Sequence, residues 1–161
     1  MRAVVQRVRT AAVRVADDEV GRIGPGLLVY LGVADDDTER DAAWVARKLA
    51  ELRLFEGDDG RLDRSLADRR RAGEPASALV ISQFTLLADI GKGRRPSFVR
   101  AAPPERAVPL YEAVLRSLRE GGIEVATGRF GARMLVESEN AGPVTLWLDS
   151  ARSVRRPDGK A

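Results

Sequence analysis

The sequence predicts an α+β protein built on mainly antiparallel or mixed β-sheets, with about eight short strands and two longer helices. Three observations predict it. Short runs rich in Val, Ile, Leu and Thr recur between Gly, Pro and Asp clusters. Only two stretches sustain a helical period. Strand and helix patterns do not alternate as they would in a parallel βαβ fold.

Ala3 to Val8 and Ala12 to Val15 read as two strands, and Asp17-Asp18-Glu19 turns the chain into a third over Val20 to Ile23. Gly24-Pro25-Gly26 turns it again into Leu27 to Val33, an unbroken apolar run that predicts a strand covered on both faces. Asp35-Asp36-Asp37-Thr38 supplies an N-cap and negative charge, and Val45, Leu49 and Leu52 recur at helical spacing, so a helix is predicted from Thr38 to Leu52. Leu54-Phe55 reads as a short strand and Gly57-Asp58-Asp59-Gly60 as a turn. Between Arg64 and Pro75 no period is sustained, and an exposed, mobile loop is expected. Ala78 to Phe84 is the next strand, followed by a Gly-rich basic loop over Ala88 to Pro96. Pro103-Pro104-Glu105 opens the second helix, with Leu110, Tyr111, Val114, Leu115 and Leu118 as its apolar stripe. Pro109 falls in its first turns, and Gly121-Gly122 stops it. Strands near Ile123 to Val125 and Met134 to Glu137 follow. Asn140-Ala141-Gly142-Pro143 is turn chemistry leading into Val144-Thr145-Leu146-Trp147-Leu148, an apolar run expected to form a buried strand.

At 161 residues, with 44% apolar and 32% charged, the chain is expected to form a single domain over residues 1–150. Residues 151–161 read as a basic, disordered tail. Arg152, Arg155, Arg156 and Lys160 outnumber Asp158 there and account for the whole net charge of +3. No apolar stretch approaches the roughly 20 residues of a membrane span, and the first residues lack the apolar core of a signal peptide. The expected location is the cytoplasm. Cysteine and histidine are both absent, which excludes a Ser-His-Asp triad, a Cys-His pair and a zinc site of the usual nitrogen and sulfur type. No metal or organic cofactor is expected. An enzyme of this composition must work through hydroxyls, carboxylates, backbone dipoles or groups of its substrate. Arg69-Arg70-Arg71 and Lys92-Gly93-Arg94-Arg95 are basic clusters that either meet phosphates selectively or are simply solvated.

Two loops at strand ends carry the candidate chemistry. Ser82 and Thr85 are hydroxyls that read either as turn and capping groups or as nucleophiles, and the chain offers no imidazole to activate them. Phe84 between polar neighbours is either core or a wall on which a base stacks. The turn itself offers backbone N–H groups, which stabilise an oxyanion in acyl transfer.

Six stretches in order resemble the bacterial-type D-aminoacyl-tRNA deacylases, also described as D-Tyr-tRNA deacylases. They are Val5-Gln6-Arg7-Val8, Gly24-Pro25-Gly26-Leu27-Leu28-Val29, Ser82-Gln83-Phe84-Thr85-Leu86, Arg95-Pro96-Ser97-Phe98, Thr127-Gly128-Arg129-Phe130 and Asn140-Ala141-Gly142-Pro143-Val144-Thr145. The likeness runs from residue 1 to about 149. It implies an esterase that removes D-amino acids from tRNA, and glycine mischarged onto tRNA-Ala, as chiral proofreading in translation quality control. It also implies a homodimer with the active site at the interface, where a cis Gly142-Pro143 step reaches into the partner's pocket and rejects L-amino acids with its main chain. By the same resemblance, main-chain donors near Phe84 and Thr85 form the oxyanion hole. Ser82, Gln83, Arg95, Pro96 and Phe98 bind the terminal adenosine and ester, and Arg7, Val144 and Thr145 support the Gly-Pro loop. The 2′-hydroxyl of the terminal ribose assists hydrolysis, and Thr85 as a nucleophile ranks second. The chain departs from the family pattern at Ala141, usually Asp, and at Arg94, usually Met. The expected partners are the aminoacylated 3′ end of tRNA and a second copy of the chain, with no membrane or DNA partner. The rival readings are a non-catalytic tRNA- or RNA-binding module, a hydrolase of small D-amino acid esters, and a purely structural dimer.

Overall fold

The computed structural model describes residues 1–91 and 93–153. In chain order it contains β1 (Arg2–Val15), β2 (Asp18–Ile23), β3 (Gly26–Gly32), α1 (Glu39–Glu51), β4 (Phe55–Glu56), β5 (Leu62–Arg64), α2 (Leu66–Arg71), β6 (Ser77–Ser82), a 3-10 turn (Phe84–Leu87), α3 (Pro104–Glu120), β7 (Glu124–Thr127), β8 (Leu135–Asp149) and a final 3-10 turn (Ser150–Arg152). The α+β class is as expected, but β1 and β8 are long and a third helix is present.

β1 runs as one strand where the sequence reads as two. Arg9-Thr10 holds neither Gly nor Pro to break it, and the strand takes up its bend as irregular pairing around Val8 and Thr10. One edge of β1 pairs antiparallel with β3 over Arg2 to Val8 and with β2 over Ala11 to Val15. Its other edge pairs with β8, also antiparallel. β3 then pairs in parallel with β6, and β6 with β7, giving a mixed six-stranded sheet in the order β2-β1-β3-β6-β7 with β8 on β1. The sheet curls nearly into a barrel. β2 comes so close to β7 that a Cβ on Gly21 would lie 2.6 Å from the Thr127 carbonyl oxygen.

The curl explains the unbroken apolar runs. Leu27, Val29 and Leu31 of β3 and Ala78 and Val80 of β6 face the helices, packing with Val45 and Leu49 of α1 and Val114, Leu115 and Leu118 of α3. Leu28, Leu79 and Ile81 face inward with Val8, Val13 and Ile23. Both faces of β3 and β6 are therefore covered, one by helices and one by the curled sheet. The chain ends are clasped to this core. The Met1 amino group lies 2.5 Å from Asp37 Oδ1 and donates to Ser150 Oγ, which in turn donates to Asp41 Oδ1 at 2.6 Å. Burial pushes the Asp37 carboxyl up despite the ammonium beside it.

Four further expectations need correction or completion. The segment from Arg64 to Pro75 is not a mobile loop: it contains α2, and Leu66 is fully buried. Ser65 caps it, accepting from the Asp68 N–H at 3.1 Å, while the Asp68 carboxylate accepts from both the N–H and the hydroxyl of Ser65. The strand expected to run to Phe84 ends at Ser82. β8, expected to be buried, is an edge strand whose Trp147 is 48% exposed, and of its side chains only Leu148 is buried. The tail expected beyond residue 150 begins with the 3-10 turn, and its residues 154–161 lie outside the described residues. Among the described residues, no helix is long and apolar enough to cross a membrane.

The α2 cap gives a stability prediction. Hydrogen bonds from the Ser65 hydroxyl and backbone, followed by Arg71, hold the Asp68 carboxyl down to about 2. A depressed carboxylate stabilises the fold above its ordinary value near 3.8, and that contribution is lost as pH falls toward 2. Ser65→Ala is expected to cost about 1 kcal/mol in urea unfolding at neutral pH. The variant should also lose part of this acid-side dependence.

Candidate active site

The C-terminal end of β6 delivers Ser82 and Gln83 into the 3-10 turn. The Gln83 N–H donates to the Leu31 carbonyl at 2.8 Å, fixing the turn against the end of β3. Glycine at position 32 is required by this contact, because a Cβ there would lie 2.7 Å from the Gln83 carbonyl oxygen. The first N–H groups of such a turn have no intrahelical carbonyl to pair with. Those of Phe84 and Thr85 are therefore the donors this turn can present to a ligand. The Gln83 side chain donates to Thr85 Oγ1, and Thr85 is exposed.

Phe84 is not core. It is exposed, and its ring meets Phe98 edge-on at 5.0 Å. Beside it opens a pocket of about 570 Å³, lined by Ser82, Gln83, Phe84 and Phe98 together with the start of α3 and the segment Phe130 to Ala132. Phe130 meets the Tyr111 ring at 6.0 Å. Among the described residues, Tyr111 is the only titratable group lining the pocket. Its hydroxyl donates to the Val80 carbonyl at 2.8 Å, and burial, with the charge of Glu112 next, pushes its pKa up. It is therefore a fixed, protonated donor. Among the described residues that line the pocket, none can take a proton from Thr85.

The loop from Asp89 to Ser97 closes on itself through paired backbone bonds of 2.8 and 2.9 Å between those two residues. Arg95 and Pro96 sit on it, exposed, and neither lines the pocket. Phe98, just beyond, does. Arg94 is exposed on the same loop, and Lys92 of that basic cluster lies outside the described residues.

The second candidate loop is a break in the β1–β8 ladder. Val8 faces Asn140 and Gln6 faces Thr145, so Ala141 to Val144 bulge out opposite Arg7 alone. Arg7 is 9% exposed and lies under the bulge. Its Nε donates to the Ala141 carbonyl and its Nη1 to the Leu54 carbonyl, each at 3.1 Å, and its Nη2 lies 3.2 Å from Glu56 Oε1. Asn140 closes the bulge from within: its Oδ1 accepts from the Val144 N–H at 3.0 Å, and its Nδ2 donates to Thr145 Oγ1 at 3.0 Å. Gln6 donates to the same hydroxyl at 3.2 Å. Gly142 sits at φ +120, the Gly142-Pro143 bond is cis, and both residues are exposed.

Within one chain the two loops do not meet. Ser82, Gln83, Phe84 and Phe98 share the pocket, and neither Gly142 nor Pro143 lines it. Sequence reasoning missed Phe130, Tyr111 and Arg2 at this site. Arg2 Nη1 donates to the Leu86 carbonyl at 3.0 Å, its Nε lies 3.5 Å from Asp149, and its guanidinium covers Trp147 at 5.8 Å, so it ties the turn to β8. A cation at a strand end reads as solvated, and no sequence signal marks it.

Residues 4–149 match the family model described as D-Tyr-tRNA(Tyr) deacylase. The chain belongs to this deacylase family. Among its deacylase relatives, a D-aminoacyl-tRNA deacylase of Dehalococcoides mccartyi is 54% identical over 93% of this chain and 95% of its own length. One from Roseiflexus is 55% identical over 94% of each chain, and one from Thermus aquaticus is 52% identical over 94% of this chain and 96% of its own. Two solved structures share the architecture. The c-Myc DNA unwinding element binding protein superposes with a TM-score of 0.83 at 37% identity, covering 92% of this chain and 98% of its own. A protein described as a probable eukaryotic D-amino acid tRNA deacylase superposes at 0.79, covering 91% and 97%, and at 20% identity it shares the fold alone.

Proposed function

We propose that the protein is a D-aminoacyl-tRNA deacylase that hydrolyses the ester between a D-amino acid, or glycine mischarged onto tRNA-Ala, and the terminal ribose of tRNA, in the cytoplasm. Family membership supports the reaction. The observation that carries it to this chain is the pocket: aromatic walls, a turn with unpaired N–H donors, and no imidazole, thiol or carboxylate among its described lining residues. Such a site binds a nucleoside and stabilises an oxyanion, but it does not generate a protein nucleophile. The N–H groups of Phe84 and Thr85 hold the ester oxygen, and the ribose 2′-hydroxyl next to the ester assists water. Ser82, Gln83, Arg95, Pro96 and Phe98 bind the terminal adenosine.

Selection for hand comes from the second loop. Gly142 and Pro143 are exposed and do not line their own chain's pocket, which supports their acting in the pocket of a second copy of a homodimer. There their main chain meets the α-amino group and leaves no space for an L side chain. Arg7, Val144 and Thr145 hold the loop in that position. Rejection by main chain admits glycine, which has no side chain to exclude.

The test is deacylation of D-Tyr-tRNA against L-Tyr-tRNA by purified protein. The D-ester is expected to be cleaved at least a hundredfold faster, and equal rates, or no cleavage of either, would reject the proposal. Thr85→Ala separates the two chemistries, since it removes the hydroxyl and keeps the N–H. Turnover within about threefold of the parent is expected, whereas a nucleophile typically costs about 10⁴-fold or more when removed.

A further inference from the structure

Three of the four phenylalanines of the chain, Phe84, Phe98 and Phe130, are 56%, 37% and 39% exposed, and all three line the same pocket. Arginines are interleaved with them. Arg100 falls between the lining residues Phe98 and Ala101, while Arg129 and Arg133 bracket Phe130, Gly131 and Ala132. All three arginines are exposed, and among the described residues none of their side chains has an ion pair or hydrogen bond. Asp35 donates its backbone N–H to the Arg100 carbonyl, and its carboxylate is held by Arg106 at 2.9 Å. The segment from Thr127 to Arg133 contains no acid.

Exposed rings alternating with unpaired guanidiniums are what single-stranded nucleic acid requires, since bases stack on the rings and phosphates pair with the cations. The pocket itself has room for one nucleoside. Its three rings are exposed, and the three exposed arginines adjoin its lining residues in the chain. We propose that the rim of this pocket is a track for the unpaired nucleotides that precede the terminal adenosine of tRNA. The adjacent base stacks on Phe130, and the phosphates on either side of it lie against Arg129 and Arg133, with Arg100 facing them across the mouth. This rests on the deacylase reading and extends it from the terminal nucleoside to the single strand behind it.

Two synthetic esters test it: D-tyrosyl-adenosine, and a D-tyrosyl RNA trinucleotide ending in the same adenosine. The parent protein should prefer the trinucleotide. The double variant Arg129→Gln/Arg133→Gln should lose about tenfold or more in kcat/KM on the trinucleotide and stay within twofold on the mononucleoside, with unchanged thermal unfolding. Its plot of log affinity against log salt should become shallower by about 1.4, from two single-strand phosphate contacts at about 0.7 each. Equal losses on both esters, or no loss on the trinucleotide, would overturn the track. Fluorescence anisotropy with the uncharged trinucleotide reads binding without chemistry. Arginine-dependent binding by a protein that cleaves neither ester would leave the track standing and reject the deacylase reading. Cleavage of both esters with no arginine dependence would do the reverse.

Discussion

Gly142→Ala is expected to lower kcat/KM for D-aminoacyl-tRNA about a hundredfold and to erode the preference for D over L esters. Two independent obstacles face the added methyl. At φ +120 an L residue sits in a sparsely populated region that costs about 1–3 kcal/mol. Its Cβ would also lie 2.7 Å from Arg7 Nη2 and 2.9 Å from Val144 Cγ2. A long side chain usually yields to such a contact. Arg7 does not, because the Ala141 and Leu54 carbonyls and Glu56 hold its guanidinium from three directions. Relief therefore falls on the bulge, which must move outward or give up the Ala141 bond. A displacement near 1 Å in a group that positions substrate is enough for a hundredfold loss. Parallel kinetics on D- and L-Tyr-tRNA measure it. An unchanged rate and an unchanged D/L ratio would take this loop out of the mechanism.

The bulge and the pocket were not equally legible. Asn140-Ala141-Gly142-Pro143 announces a turn, whereas Arg7 entered only through the family resemblance, and the β1–β8 ladder then places it opposite the bulge. The residues alone do not reveal that the two loops lie apart in one chain, since that depends on how far the sheet curls; the family resemblance implied it by placing the Gly-Pro step in the partner's pocket. α2 was readable and was hidden by its charges: Ser65-Leu66-Ala67-Asp68 is a capping sequence, but the arginine run after it has no apolar period. β8 misleads in another way. Val144-Thr145-Leu146-Trp147-Leu148 looks continuous because Trp counts as apolar, yet the strand alternates, and Trp147 spends its face under the Arg2 guanidinium instead of in the core. A lone Phe is usually core, so the exposure of Phe84, Phe98 and Phe130 becomes visible only once tertiary structure gathers them around one pocket.

Gly32→Ala tests the pocket from the side of the fold. Gly32 ends β3, where the 3-10 turn packs directly on the strand, and a Cβ there would lie 2.5 Å from Leu87 Cδ2 and 2.7 Å from the Gln83 carbonyl oxygen. Leu87 can rotate, but the carbonyl cannot withdraw unless the turn moves with it. That movement works against the Gln83-to-Leu31 bond and shifts the Phe84 and Thr85 N–H groups, whose value to an oxyanion depends on a position fixed in advance. The expected result is a fall of about a hundredfold in kcat, with a stability loss of about 1–3 kcal/mol typical of overpacking. Gly24→Ala is the control, since its methyl meets nothing within 4 Å and should change neither quantity. Trimming Leu87 in the Gly32→Ala background should not restore turnover, because the contact that displaces the donors is with backbone. Recovery in that double variant would mean that side-chain crowding, and not the placement of the turn, limits the reaction.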